Sequence, residues 1–596
     1  MITGSIPAAG SILFLACVTL GDAANSGKLV DHAIILSVQY TLAVMAQKDM
    51  QWKQVLKGPD ADHAIAAFHL EEDSLLSTVL EELHPGDEGY DLALKEAISG
   101  RYLLDIRRSG MWKVRGIKQG FKESKITADG EGFNYYSHMV RLYTVRIAFF
   151  RPNRGDRRVA ILDERTAFLQ SDRFPEDMVK FLKMWHPIEH SWKYYRQWGP
   201  LYGENSAPRR WEDTMAPYME SVGFSRGDNE KSAFLHEDRD LLDLTFVDDN
   251  YLDGAEDDIL WGHGAITDRF ECKELEWITS EPTDYLGMLM SITTDRTILS
   301  METYIEVALD VLGWKDLRPA KTPIRKPIDP TTPRLSDAMA HKFHTAQGML
   351  GWLDNTCRPD VSYARSRISQ HQAAPTESAL DAVQYAFRYL KGTKHLCLSG
   401  LLQSSPDQDI ISTVMGGSAE EDAQFNWEFY CDSDYAGNSE PQNKRRSQNG
   451  LLVTLNKVPV YWWSKISSVC FACEDIGEAH ADQSSAAVEI FVAGNATKDI
   501  LHLSYVADEI GIPFPKPFKL QMDNEAAKCF AEDTVSKSKL KHIDARQEWV
   551  KILRDREICT PVHVDSADNL ADIFTKILSV DTFERLRDQL LWDPNK

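Results

Sequence analysis

What this sequence lacks narrows it first. Cysteine is scarce, nine residues among 596, and that scatter is too thin for a disulfide scaffold and suits a reducing compartment. The one CxxC, Cys470 and Cys473 with His480 beyond it, falls short of the ~four ligands a zinc site takes, so ordinary thiols and a metal pair both stay open. Basic charge is in deficit. The 66 Lys and Arg stand against 90 Asp and Glu, a formal charge of -24, which excludes an indiscriminate nucleic-acid binder because phosphate contacts need Lys and Arg. Any path for a nucleic acid must be local. Long apolar runs are missing too. Residues 11–21 (SILFLACVTLG) have the length of a signal-peptide core, but the first basic residue is Lys28, and 33–46 (AIILSVQYTLAVMA) is too short and interrupted to span a bilayer. A buried helix and a leader both remain readings of that start; no membrane partner and no secretion are expected. No internal repeat is visible.

What is present is a globular chain. At 43% hydrophobic, 10% aromatic and 26% charged residues it can bury cores along most of its length, and at ~100–200 residues per domain it holds several compact units. Five prolines at 319, 323, 327, 330 and 333 forbid regular structure across 318–337 and leave an extended linker. A polar, Gly- and Ser-containing stretch at 401–424 reads as a surface loop. Between them Thr376 can cap a helix whose Leu380, Val383, Phe387 and Leu390 share one face and which Gly392 ends. Beyond 425, strands near 427–431, 450–455 and 518–522 and helices near 485–508 and 543–555 predict a mixed α/β domain. The expected division is a leader at 1–50, an extension at 51–110, a block at 111–317, linker and connection at 318–424, and a last domain at 425–596.

The chemistry lies in carboxylates. In 244–254 (LTFVDDNYLDG) two strand-like runs flank Asp248 and Asp249, so a hairpin would hold both at its tip. Asp257 and Asp258 nearby, in AEDDIL, read instead as a solvated helix start, so the dipeptide alone decides nothing. Two carboxylates at one point repel unless a cation lies between them. A divalent ion is the natural answer, since hard Mg²⁺ prefers oxygen ligands and ion pairs ~3.5–4 Å apart drive phosphoryl displacement. A further carboxylate is on offer upstream: in 159–169 (VAILDERTAFL) Asp163 follows an apolar run.

LDERTAFL followed by FVDD resembles the palm of a reverse transcriptase of the Ty1/copia retrotransposon type. KVRGIKQGF (113–121), LYGENSAPRRW (201–211), DYLGM (284–288) and LGWLDNTCRPDVSYARSRIS (350–369) are similar to its further motifs, in order. The resemblance implies a mixed α/β (α+β) fold, with fingers, palm and thumb of a right-hand polymerase, then a connection and a ribonuclease H-like mixed-sheet domain. It implies that Asp163, Asp248 and Asp249 bind two Mg²⁺ ions, Mn²⁺ being the alternative, with Phe246 in place of the usual Tyr. It further implies that Phe168 is a gate under the incoming sugar, against the alternative of a core aromatic, and that Lys113 and Arg115 face the triphosphate, against the alternative of solvated strand residues. The pocket Gln is replaced by Ser206, with Glu204 and Asn205 beside it. RIAFFRPNRGDRR (146–158) supplies a local basic track for a template-primer backbone.

YCDSDYAG, KRRSQNG, KHIDARQEWV and NLADIFTK resemble the ribonuclease H domain of the same elements. That likeness implies two Mg²⁺ ions on Asp432, Glu489, Asp523 and Asp572. Asp432 and Asp523 stand at the ends of two expected strands; Glu489, from SSAAVEIFVAG where the family has SSTEAEYMAL, lies in an expected helix behind an apparent insertion, CEDIGEAHADQ. The implied partners are an RNA template, a DNA primer, an RNA–DNA hybrid and dNTPs, and the implied setting is cytoplasmic, in virus-like particles, with later nuclear access. No aspartic-protease motif, integrase zinc motif or nucleocapsid knuckle is found, the expectation for a fragment of a polyprotein. Ser206 and the insertion leave a second reading open: a decayed or captured copy that keeps the fold and nucleic-acid binding without catalysis.

Overall fold

The computed structural model describes residues 52–106, 110–123, 135–152, 154–402, 425–434, 446–467, 485–523 and 544–596. The apolar runs at 11–21 and 33–46, Cys470 with Cys473, the apparent insertion and nearly all of the loop at 401–424 lie outside the described residues. The described residues divide into two compact units, one of residues 52–140 with 158–277, the other of 141–157 with 278–596. Both are mixed α/β.

The first unit holds two sheets. A five-stranded sheet has the order β1-β6-β5-β2-β3, built from β1 (Leu80–Leu83), β2 (Ile98–Ile106), β3 (Trp112–Lys118), β5 (Lys180–His186) and β6 (Ser191–Gln197). The helix α1 (Ala61–Thr78) buries Ala64, Ala67, Phe68 and Leu75 in the core beneath it, with Leu104 and Val114 from the sheet. The second sheet has the order β11-β4-β10-β9-β8-β7, from β4 (Arg157–Asp163), β7 (Ser225–Arg226), β8 (Ala233–His236), β9 (Leu241–Phe246), β10 (Asp249–Ala255) and β11 (Glu276–Trp277). Its core joins Ala160, Leu162, Leu241 and Leu252 to Trp211, Met215 and Met219 of α2 (Ala207–Ser221) and Ile259 and Ile266 of α3 (Glu256–Thr267). Asp257 and Asp258 stand in the first turn of α3, where acidic charge faces the positive end of the helix dipole.

The second unit also holds two sheets. One has the order β12-β13-β14-β15, from β12 (Thr283–Tyr285), β13 (Met288–Ile292), β14 (Arg296–Ser300) and β15 (Leu398–Leu401). The stretch from 312 to 336 carries no helix or strand, as its prolines require, and α4 (Asp337–Thr356) follows. The helix expected after Thr376 is α5 (Glu377–Gly392): the Thr376 hydroxyl accepts from the Ala379 amide at 3.4 Å, and Val383, Phe387 and Leu390 are buried. The other sheet has the order β18-β17-β16-β19-β20, from β16 (Trp427–Asp434), β17 (Gln448–Leu455), β18 (Val458–Ile466), β19 (Phe518–Met522) and β20 (Cys559–His563). β16 pairs antiparallel with β17 but parallel with β19. The crossover that parallel pairing demands contains α6 (Ser485–Glu509). Further on come α7 (Asp544–Asp555) and α8 (Val580–Leu590).

Only the end of the basic track expected at 146–158 is open, with Arg158 exposed and Arg157 half-buried. Arg146, Arg151 and Arg154 are buried: Arg146 donates to the Val460 and Thr356 carbonyls at 2.8 Å each, and Arg154 to the Phe149 carbonyl at 3.1 Å. Charge alone suggested solvent, but a guanidinium with five donors also closes off orphan carbonyls inside a core.

Candidate active sites

In the first unit the turn between β9 and β10 is two residues long, Val247 and Asp248, because Asp249 pairs with Phe246. Asp248 therefore stands in the turn and Asp249 opens the strand, so the tip itself carries only one of the pair. Val247 has φ 60, a conformation in which a two-residue hairpin turn ordinarily takes Gly and which costs a β-branched residue ~1–3 kcal/mol. Two hydrogen bonds pin the strained turn: Trp211 Nε1 donates to the Val247 carbonyl at 2.7 Å and the Glu164 amide to the Asp248 carbonyl at 2.8 Å. The second bond draws the end of β4, and with it Asp163, to the hairpin. Burial raises the Asp248 carboxyl and the charge of Asp163 raises it further, while Arg115 and Lys113 oppose them. Asp163, Asp248, Lys113 and Arg115 thus share one electrostatic neighbourhood.

Lys273 completes that neighbourhood. Its ammonium is ion-paired with Asp163 Oδ2, and its amide donates to the Asp163 carbonyl at 2.9 Å. Phe168 lies in the short 3-10 segment Ala167–Gln170, not on a strand, and its ring centre is 5.4 Å from that of Tyr202. Burial raises the Tyr202 phenol, and Asp248 and Asp163 add to the shift, so Phe168 and Tyr202 form an aromatic wall near the carboxylates. Ser206 is buried, and its hydroxyl donates to Glu204 at 2.9 Å. Glu204 belongs to a buried network in which Lys118 reaches Glu123 at 2.6 Å and Gln197 donates to Glu204 at 2.6 Å.

Beneath the hairpin lies a group the motifs did not announce. Register places Asp243, Thr245 and Asn250 on one face of β9 and β10. Asp243, Asn250 and Glu164 are wholly buried. Asn250 donates to Glu164 Oε1 at 2.9 Å, but both oxygens of Asp243, Glu164 Oε2 and Thr245 Oγ1 have no hydrogen-bond partner. Burial pushes the Asp243 carboxyl up to about 8.

In the second unit the sheet itself assembles the site. Parallel register sets Phe429 against Leu520, and Asp432 and Asp523 each follow three residues later, so both reach the same level at the carboxyl ends of adjacent strands. Glu489, from the first turns of α6, accepts from the Ser433 amide at 3.3 Å through Oε1, while its Oε2 is buried without a partner. Ligand oxygens of Asp432, Glu489 and Asp523 all lie within 4.8 Å of one another. Among the described residues this is the one such set of three, so neither Asp572 nor the trio Asp163, Asp248 and Asp249 closes to that distance.

Asp572 approaches from a 3-10 segment, Leu570–Phe574, that crosses β17 at Gly450. A Cβ there would come within 2.8 Å of the Phe574 Cβ, so only glycine admits the segment. Asn569 fixes its start, donating to the Cys431 carbonyl at 3.2 Å. Lys576 Nζ lies 2.8 Å from Asp572 Oδ1 and 3.9 Å from Asp432 Oδ2, and the Thr575 hydroxyl hydrogen-bonds to Asp432. Burial pushes the Asp432 carboxyl up to about 7, with Asp572 and Asp523 adding and Lys576 opposing, and burial raises Glu489 well above the carboxylate range. An all-oxygen donor set with an orphaned buried oxygen fits a hard divalent cation.

Sequence comparisons agree with the motifs. Residues 97–326 match the family described as reverse transcriptase (RNA-dependent DNA polymerase). The retrovirus-related Pol polyprotein from transposon TNT 1-94 of Nicotiana tabacum is 24% identical over 93% of this chain and 39% of its own length. That from transposon RE2 of Arabidopsis thaliana is 28% identical over 64% of this chain and 24% of its own length. The chain thus spans 39% and 24% of the lengths of these two relatives. A foamy viral protease-reverse transcriptase solved in complex with ds DNA aligns over 85% of this chain and 70% of its own at TM-score 0.47 and 9% identity, too slight a likeness to bear on the fold. No helix among the described residues is long and apolar enough to cross a membrane. The chain is similar in sequence to retrovirus-related Pol polyproteins of transposons, and its residues 97–326 match the reverse transcriptase family.

Proposed function

We propose that the chain is an RNA-directed DNA polymerase joined to a ribonuclease H, with fingers, palm and thumb within 111–317, linker and connection across 318–424, and the ribonuclease H-like domain from 425 to 596. One observation carries the polymerase reading: Asp163, Asp248 and Asp249 fall inside the matched residues, at the end of β4 and at the β9–β10 turn of one sheet, where the amide of Glu164 ties β4 to the turn at 2.8 Å. The partners are an RNA template, a DNA primer, an RNA–DNA hybrid and dNTPs. When bound, two Mg²⁺ ions per site, or Mn²⁺, would neutralise charge at the phosphoryl group and lower the pKa of the attacking oxygen.

The chain's own residues position and neutralise. Asp163, Asp248 and Asp249 hold the ions in the palm, and Lys113 and Arg115 offset triphosphate charge from β3. Phe168, backed by Tyr202, bounds the sugar pocket. Ser206 stands where the family's nucleotide-pocket Gln would, with its hydroxyl turned to Glu204. In the last domain Asp432, Glu489, Asp523 and Asp572 hold the ions, and Glu489 is oriented by the Ser433 amide.

A specific observation favours the second reading, a decayed or captured copy. Buried carboxylate oxygens without partners are costly, ~1–3 kcal/mol for each unsatisfied group, and both oxygens of Asp243 and Oε2 of Glu164 are such atoms close to the polymerase hairpin. Primer extension on an RNA template, with Asp248→Asn as control, separates the readings. Extension above the control supports the enzyme, and extension equal to it leaves the decayed copy.

A further inference from the structure

We propose that Lys576 is a resident counter-cation of the acidic site in the second unit, holding the place of one divalent ion so that the site loads its two ions unequally. The inference rests on reading that site as a metal centre. Its ground is geometric. Asp432, Glu489 and Asp523 already have ligand oxygens within 4.8 Å of one another, whereas Asp572 stands outside that set. The space between Asp572 and Asp432 is where a second ion would share Asp432, and the Lys576 ammonium sits there, 2.8 Å from Asp572 and 3.9 Å from Asp432.

The surrounding charge explains why an ammonium is held there. Five carboxylates act on it or on its partners: Asp432, Asp434, Glu489, Asp523 and Asp572. Lys576 is ion-paired with Asp572 and lies beside Asp432, and Arg367 also acts on Asp434. The backbone keeps it close, since it follows Asp572 by one helical turn in a segment pinned by Asn569 and admitted by Gly450. The side chain is 38% exposed, so its flexible stem can swing the charge into water when an ion displaces it. The first ion needs no such exchange at the Asp432–Glu489–Asp523 set. The second must break the Lys576–Asp572 pair and bind against the repulsion of the departing ammonium.

Calorimetric titration of the full chain with Mn²⁺ tests this, with Asp432→Asn identifying the ions that belong to this centre. In the parent protein one ion is expected to bind well and a second at least about tenfold more weakly. Lys576→Met should tighten the second ion by about tenfold or more and narrow the gap, while Lys576→Arg keeps it. Lys576→Gln serves as a second neutral variant, and thermal melting without metal checks that each is folded. Two ions of equal affinity in the parent, or affinities unmoved in both neutral variants, overturn the inference while leaving the metal centre standing. No ion lost in Asp432→Asn overturns the metal centre and the inference together.

Discussion

The two acidic sites differ in how far the bare chain has built them. In the second unit, Asp432 and Asp523 end adjacent parallel strands in one register, α6 supplies Glu489, and the three meet within 4.8 Å with no ion. In the first unit, Asp163 and Asp248 share an electrostatic neighbourhood, but with Asp249 they do not close to that distance. There a hairpin with Val247 at φ 60 must be pinned by Trp211, and Lys273 engages Asp163. Strand register is rigid and places side chains without cost, whereas a strained two-residue turn stores energy that neighbouring contacts must offset. A site placed by register is preformed; a site placed by a turn waits for its ligand.

The sharpest way to break this comparison is to delete one acid at a time. Asp432→Asn should lower hybrid cleavage by roughly a hundredfold to a thousandfold and leave primer extension intact, with Asp248→Asn doing the reverse, because each removes charge that holds ions worth several kcal/mol. Loss of both activities in either variant would merge the two sites. Next in size, Glu489→Gln should weaken Mn²⁺ binding in the second unit by roughly tenfold or more, read by calorimetry, since it removes charge beside the orphaned Oε2.

A smaller effect concerns Asp243. Its carboxyl is raised to about 8 against an ordinary 3.8, so the folded first unit favours the neutral form. Stability from this group is fully present below about pH 4 and is lost as pH rises toward 8. Asp243→Asn, which cannot ionise, should gain on the parent across that window, by roughly 1–3 kcal/mol at pH 8, measured by denaturant unfolding. An unchanged difference between pH 4 and 8 would show that Asp243 has a counter-ion. The smallest effect lies in the turn: Val247→Gly should stabilise by about 1 kcal/mol, and Trp211→Phe should destabilise by about as much.

Much of this was legible in the sequence where one local rule settled the outcome. The helix Glu377–Gly392 follows from a Thr cap and apolar spacing, and β19 and α7 fall within a residue of where alternation and periodicity put them. The carboxylates were singled out through their motifs, since neither an acidic pair nor an acid closing a strand points to a site by itself. Their counter-ions mostly were not. Lys273 meets Asp163 across 110 residues of chain, a partnership no spacing announces. Lys576 is different: it lies four residues after Asp572, the spacing of a helical ion pair. Arg146 shows the limit of reading charge alone, since the same residue type that tracks phosphate can be spent on carbonyls inside a core. Asp243 and Glu164 were hidden because alternation says which face a strand residue takes, not whether that face is buried.

Anomalous diffraction from crystals of the substrate-free protein soaked in Mn²⁺ tests the central claim most directly. A peak is expected among Asp432, Glu489 and Asp523 and none between Asp163 and Asp248 until nucleotide and primer are added. A peak at Asp163 and Asp248 with none at the second site would contradict it.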